Sequence, residues 1–216
     1  MFNLETLPSL DELTKQLMGV DFSKEIIIDV ETTSYSDTEG GFNPWGGHRV
    51  TLYIIKPIGL PAIPVPVRHG IAIYSKHLYP VRETCGMLAE WATHITKYVN
   101  ANPKFDMRMA ARGDGILLCN PNLRVYDTQV LGRAVKNDLH AYSLENLCEF
   151  FNVQAKKGDI IQQYLEKTTD YGKIPLDVLI EYGIGDVEST EALYVKLMGI
   201  LRERDTKGVL FKKVEQ

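Results

Sequence analysis

The sequence predicts an α/β domain in which a mixed β-sheet is covered by helices. Three observations carry that expectation: β-branched runs crowd the first third of the chain, helical periodicities dominate after residue 84, and no internal repeat or linker separates two cores. Length agrees, since a chain of 216 residues buries roughly 70% of its unfolded surface and needs no disulfide or metal staple. Composition agrees too, with 44% hydrophobic residues and 24 Lys plus Arg against 28 Asp plus Glu, a net charge of −4.

Ser9-Leu10-Asp11-Glu12 has the form of a capping box, and Leu10, Leu13, Leu17 and Met18 follow at helical spacing up to Gly19, so 9–18 reads as a short amphipathic helix. KEIIIDV, 24–30, is too short for a helix and reads as a buried strand. Residues 34–47, rich in Ser, Asp, Pro and Gly around Trp45, read as an exposed loop. RVTLYIIK, 49–56, is a second strand, and VPVR and GIAIY are candidate edge strands limited by Pro66, which makes an antiparallel meander. The apolar set from Cys85 to Val99 recurs at three- and four-residue steps and predicts a helix over 84–99. Asn102-Pro103 opens a further helix that Gly113 is expected to end. LRVYDT, 123–128, reads as a strand running into a helix, and Ser143 caps a helix in YSLENLCEFF. The last helix starts after Pro175, with Gly183 and Gly185 weakening its first turns.

Several classes are excluded. Cys85, Cys119 and Cys148 are odd in number and lack C-x-x-C spacing, which supports neither a disulfide framework nor a cysteine zinc site and makes a reducing compartment the default. His48, His69, His77, His94 and His140 show no paired ligand spacing and read as structural or solvated. The start, MFNLETLPSLDEL, is acidic where a signal peptide is basic, and the longest aliphatic run is Ile26–Ile28, so a cytoplasmic protein without a membrane span is expected. Mild acidity argues against a generic DNA-coating protein but leaves open a site where metal ions supply the positive charge.

The acids carry the chemistry. D-x-E occurs at Asp29/Glu31, Asp37/Glu39 and Asp186/Glu188. Asp29 and Glu31 end an aliphatic strand, where residues two apart project to one face, and two carboxylates held together beside a core need a hard cation or several donors. Asp37 and Glu39 sit in the Gly-rich loop and read as solvated. Asp186 follows Tyr182 by four residues, one helical face, and Asp106 follows Asn102 by four in NPKFD.

IIIDVETT, NPKFD and YGIGD, in that order, resemble the three exonuclease motifs of the DEDD superfamily in its tyrosine subclass. The likeness is to the 3′→5′ proofreading exonuclease domain of family A DNA polymerases of bacteria and phages. VPVRHG, YDTQVLGRAV, YSLENLCEFF and IPLDVLIEYGIGDVESTEALY support it, over roughly residues 24–203. In the histidine subclass a histidine stands five residues before the last aspartate; here that position is Glu181.

The resemblance implies a ribonuclease H-like fold: a central mixed sheet, its first three strands antiparallel, flanked by helices. Residues 1–23 would then be an N-terminal amphipathic helical extension and 24–216 the exonuclease domain. It implies that Asp29, Glu31, Asp106 and Asp186 hold two divalent ions, Mg²⁺ or Mn²⁺, that Tyr182 with Glu31 orients the attacking water, and that DNA is shortened from single-stranded 3′ ends to nucleoside 5′-monophosphates. Thr32, Thr33 and Tyr35 match positions that hold the terminal nucleotide, and Asn102 one that binds DNA beside it. Tyr35 is then either a base-stacking platform, worth about 1–3 kcal/mol, or an exposed loop residue; Asn102 is a substrate contact or a helix cap. Implied partners are a DNA polymerase or another replication protein, in a bacterial host's cytoplasm if the source is viral. Two other functions remain open: RNA trimming of the ribonuclease D type, and an inactive module docking a polymerase. Many relatives have an acid immediately before the last aspartate, where this chain has Gly185.

Overall fold

The computed structural model describes residues 1–33, 45, 47–153, 159–168 and 170–205. Five strands form one mixed sheet in the order β3-β2-β1-β4-β5. Strands β1 (Ile26–Thr32), β2 (Val50–Pro57) and β3 (Ile63–Pro66) are mutually antiparallel; β4 (Lys97–Asn100) runs parallel to β1, and β5 (Arg124–Asp127) parallel to β4.

Alternation along β1 distributes its side chains between two cores. Ile26, Ile28 and Val30 pack with Leu13 and Leu17 of α1 (Leu10–Met18), Trp91 of α2 (Val81–Ala92) and Met109 of α3 (Pro103–Asp114). Ile27, with Leu52 and Ile54 of β2, packs on the opposite face against α4 (Thr128–Val135), α5 (Leu144–Phe151) and α7 (Leu176–Arg204). Both faces are covered, which is why these strands read as unbroken apolar runs. The remaining helix is α6 (Asp159–Leu165), which the sequence patterns did not mark.

The capping box at Ser9 is present: its hydroxyl accepts from the Glu12 amide at 3.3 Å, and the Glu12 carboxylate accepts from the Ser9 amide at 2.9 Å. Trp91, 1% exposed, donates its indole N–H to the Leu17 carbonyl and locks α1 onto α2. No helix among the described residues is long and apolar enough to cross a membrane.

Four elements differ from the sequence expectation. GIAIY is no strand: 72–77 is a 3₁₀ turn, because β3 is a four-residue edge strand carrying two prolines and the backbone beyond it bonds elsewhere. The helix expected over 84–99 ends at Ala92, and its last apolar residues, Tyr98 and Val99, belong to β4. Their spacing continued the helical stripe only because both elements face buried surroundings. Helix α3 ends not at Gly113 but at Gly115, whose φ of 72° makes the left-handed cap. Helix α7 runs unbroken through Gly183 and Gly185. A Cβ on Gly183 would stand 2.7 Å from Cγ1 of Ile54, so this glycine serves close approach of α7 to β2.

Candidate metal centre

Parallel β1 and β4 pair only at Ile26–Tyr98 and Ile27–Val99, then part. The chain leaves β1 toward β2 on one side and leaves β4 through α3 toward β5 on the other, so a crevice opens at the carboxyl ends of the two strands, the usual binding position in open α/β sheets. The backbone groups that β4 abandons are taken over by side chains. Asn100 Nδ2 donates to the Ile28 carbonyl at 2.8 Å, Tyr98 Oη donates to the same carbonyl at 3.1 Å, and the Val30 amide donates to Asp106 Oδ1 at 3.1 Å.

The acids converge there. Alternation continues from Ile27 to Asp29 and Glu31, on the face that α7 covers, and Gly183 lets α7 approach until its Cβ position would be 3.8 Å from Glu31 Oε1. One carboxylate oxygen each from Asp29, Glu31 and Asp186 lies within 4.8 Å of the others. Asp106 reaches the same crevice from α3 and is 4% exposed. Burial first, and then the negative charges of Asp29 and Asp186, push its carboxyl well above the usual range, against the pull of backbone hydrogen bonds. Among the described residues no basic side chain pairs with it.

Tyr182, one turn before Asp186 on α7, is 7% exposed. Burial, Asp186 and Glu31 drive its phenol far above the ordinary value, which favours the protonated form. Its ring centroid is 6.4 Å from that of Tyr171, in the 3₁₀ turn Tyr171–Lys173, whose phenol is also pushed up by burial, Glu31 and Asp186. Tyr171 had no signal in the sequence: it follows no periodicity and precedes the motif by eleven residues.

The predicted substrate positions divide. Thr32 and Thr33 follow a bulge at Glu31/Thr32; Thr32 is buried, and Thr33 binds Arg49 through backbone and hydroxyl. Asn102 is the N-cap of α3 in the left-handed conformation (φ 62°), with no side-chain cap bond, an exposed side chain, and its amide held by Asp127 Oδ1 at 3.3 Å. It stands at the helix start without capping it through its side chain. Tyr35, Asp37 and Glu39 lie outside the described residues.

No protein-family model matches the sequence, and no curated protein does. Solved structures match the fold. The EXO domain of Aedes aegypti Nibbler superposes with a TM-score of 0.63 at 11% identity, covering 97% of this chain and 94% of that one. The apo form of a nuclease gives 0.59 at 17% identity, covering 96% and 83%. Brucella melitensis NrnC gives 0.56 at 17%, covering 89% and 78%, and NrnC has also been solved with bound Mg²⁺ and bound to pGG. The fold is shared with nucleases. At these identities it is the fold, ribonuclease H-like with a mixed sheet between helices, that is established; the chemistry rests on the residues in the crevice.

Those residues fit a hard divalent cation. The donor set is carboxylate oxygen throughout, which suits Mg²⁺ or Mn²⁺ rather than a thiolate- or imidazole-seeking ion. Burial first, and neighbouring negative charge after it, oppose ionisation of the Asp106 carboxyl, and a bound cation would favour it.

Proposed function

We propose that the protein is a metal-dependent 3′→5′ exonuclease that removes nucleoside 5′-monophosphates from single-stranded DNA ends. The observation that carries the reading is the cluster of Asp29, Glu31 and Asp186 at the crevice where β1 and β4 part, with buried Asp106 on α3 close enough to feel the charges of Asp29 and Asp186, and Tyr182 beside them. On this reading the four acids hold two Mg²⁺ or Mn²⁺ ions. When bound, such ions neutralise charge on a phosphodiester and on the attacking and leaving oxygens of its displacement. Four carboxylates and two divalent ions sum to zero charge, which leaves the crevice able to admit a phosphodiester anion.

The chain's own residues then have distinct tasks. Tyr182, as a donor, and Glu31, an acceptor when ionised, orient the attacking water between them. Thr32 and Thr33, at the end of β1, edge the crevice where a terminal nucleotide would sit, and exposed Asn102 faces solvent at the start of α3 beside it.

A second reading, RNA as substrate, is favoured by the shared fold of NrnC, solved bound to pGG. One experiment addresses both. Incubating 5′-labelled single-stranded DNA and matched RNA with Mg²⁺, Mn²⁺ or EDTA, beside Asp106→Ala, is expected to give a metal-dependent ladder shortening from the 3′ end and absent in the variant. The faster substrate decides between DNA and RNA. No cleavage of either by folded protein with metal rejects the enzyme reading.

A further inference from the structure

Two segments more than a hundred residues apart are clasped together beside Tyr182. The His69 ring is half-buried against the chain and both its nitrogens are engaged: Nδ1 accepts from the Ile71 amide at 3.1 Å, which leaves the proton on Nε2 to donate to the Ile174 carbonyl at 2.7 Å. Next to it the Gly70 amide donates to the Gly172 carbonyl at 2.8 Å. A side chain at either glycine would crowd the clasp, since a Cβ on Gly70 would meet the Gly172 oxygen at 3.0 Å and one on Gly172 would meet Thr33 Cγ2 at 3.0 Å, so the neighbour would have to give way. The turn is closed from within by Asp170, whose Oδ1 accepts from the Gly172 amide at 2.9 Å. The clasp therefore fixes Tyr171–Lys173 against the end of β1, and the side chain it delivers is Tyr171, half-buried, with its ring against that of Tyr182.

We propose that Tyr171, held by the His69–Gly70 clasp, is a positioning residue that aims the Tyr182 hydroxyl into the acid crevice. This rests on the exonuclease reading for its catalytic consequence, and on geometry alone for the placement itself. The arrangement is economical: Tyr182 sits on a helix whose backbone direction is set by packing, so what a neighbouring phenol can restrain is the χ1 torsion that places the ring and the C–O torsion that aims the hydroxyl hydrogen. Tyr171 can do so only if its own turn cannot slide, and the clasp consists of two backbone-directed hydrogen bonds between segments packed too closely to take a side chain without displacement. The acids are thus carried by β1, α3 and α7, while the turn that bears Tyr171 is braced separately by the 68–74 segment.

The test pairs a metal-free readout with a kinetic one. In tyrosine-labelled protein without metal, NMR of Tyr171→Phe, which keeps the ring and removes the hydroxyl, is expected to shift the Tyr182 ring signals and leave the Tyr126–Tyr194 pair unmoved. His69→Ala is expected to broaden them and to speed exchange of the Gly70 and Gly172 amides. An unmoved Tyr182 signal in Tyr171→Phe overturns the proposal. In cleavage assays Tyr171→Phe is expected to lower kcat about five- to tenfold, the equivalent of one neutral hydrogen bond, with KM unchanged. The double variant Tyr171→Phe, Tyr182→Phe is expected to be no slower than Tyr182→Phe alone, because the first residue acts through the second. Fully additive losses overturn the positioning role. Wild-type protein that cleaves no nucleic acid overturns the exonuclease reading instead, and the NMR result separates that failure from this one.

Discussion

Helix α3 carries two buried acids about two turns apart, Asp106 and Asp114, and the protein answers them in opposite ways. Asp114, its side chain 1% exposed, receives both guanidinium nitrogens of Arg68 and the hydroxyl of Tyr53, and Arg68 also donates to the Val50 carbonyl at 2.9 Å. The desolvation cost of that carboxylate is met inside the chain, and the ensemble ties α3 to β2 and to the segment after β3. Asp106 is buried as deeply, yet it faces the negative charges of Asp29 and Asp186, and what it receives in return is backbone amides, its own and that of Val30, rather than a cation. A buried acid set among acids is a poor structural element and a good half of an ion site. The difference teaches where to look for function on this molecule: at the carboxylate whose counter-charge has to arrive from outside.

The largest expected effect tests that asymmetry directly. Asp106→Ala should lower cleavage about a thousandfold or more, the scale of losing several kcal/mol of transition-state stabilisation, while far-UV circular dichroism stays that of the wild type. Asp114→Ala should do the reverse in kind. Stranding the Arg68 guanidinium in a buried setting should cost about 3–5 kcal/mol of stability, read as a fall of roughly 10 °C in Tm at this chain length, and any loss of activity should follow the loss of folded protein. Equal melting temperatures for the two variants would erase the contrast.

A smaller effect concerns how the two halves of the site meet. Gly183→Ala inserts a methyl group 2.7 Å from Ile54 Cγ1, and overpacking of this kind costs about 1–3 kcal/mol. Because the strain is relieved by pushing α7 off β2, Asp186 should move away from Asp29, and the Mg²⁺ dependence of activity should shift to higher concentration. Gly86→Ala, where nothing lies within 4 Å of the new methyl, should instead stabilise by about 1 kcal/mol through helix propensity. Smaller again, Asp106→Asn should raise the Tm of metal-free protein by a few degrees by removing buried repulsion, about 1 kcal/mol at this size, and should blunt the stabilisation that added Mg²⁺ gives the wild type.

Much of this was legible before any coordinates. Asp29 and Glu31 were readable because a D-x-E pair closing an aliphatic strand constrains direction as well as proximity, and Ser9 because a capping box is a local, four-residue device. Asp106 and Asp186 were readable as members of ordered motifs. Asp114 was not, since its partner Arg68 is 46 residues away and nothing local distinguishes a paired acid from a solvated one. Tyr98 and Val99 were misread as helix because a buried strand and a buried helical stripe look alike over four residues. Gly183 was read as a weak point, whereas its meaning is a distance to β2. Tyr171 was passed over for the same reason as Asp114, and His69 was read only as structural or solvated, because each acts through residues that only the fold brings near.

His69 supplies the smallest effect and the last test of the comparison. Like Asp114 it is a titratable group answered from within the chain, though only half-buried, and here the answer is to the neutral form, because a protonated Nδ1 has no lone pair for the Ile71 amide. Burial lowers its pKa below the ordinary 6.5, opposed by the backbone bonds and by the one charge that faces it, Asp170. A group whose folded pKa is depressed contributes stability that is complete above its unfolded pKa and is lost as pH falls through the folded one. Metal-free wild type should therefore lose Tm as pH drops below about 6.5, and His69→Gln, which stays neutral, should lose less over the same interval. The difference between the two curves is the measurement, since carboxylates elsewhere titrate identically in both. A difference that grows toward low pH assigns His69 to the groups the fold satisfies by itself; parallel curves would mean that the ring is free to charge, and that the clasp over the acid crevice is looser than its hydrogen bonds require.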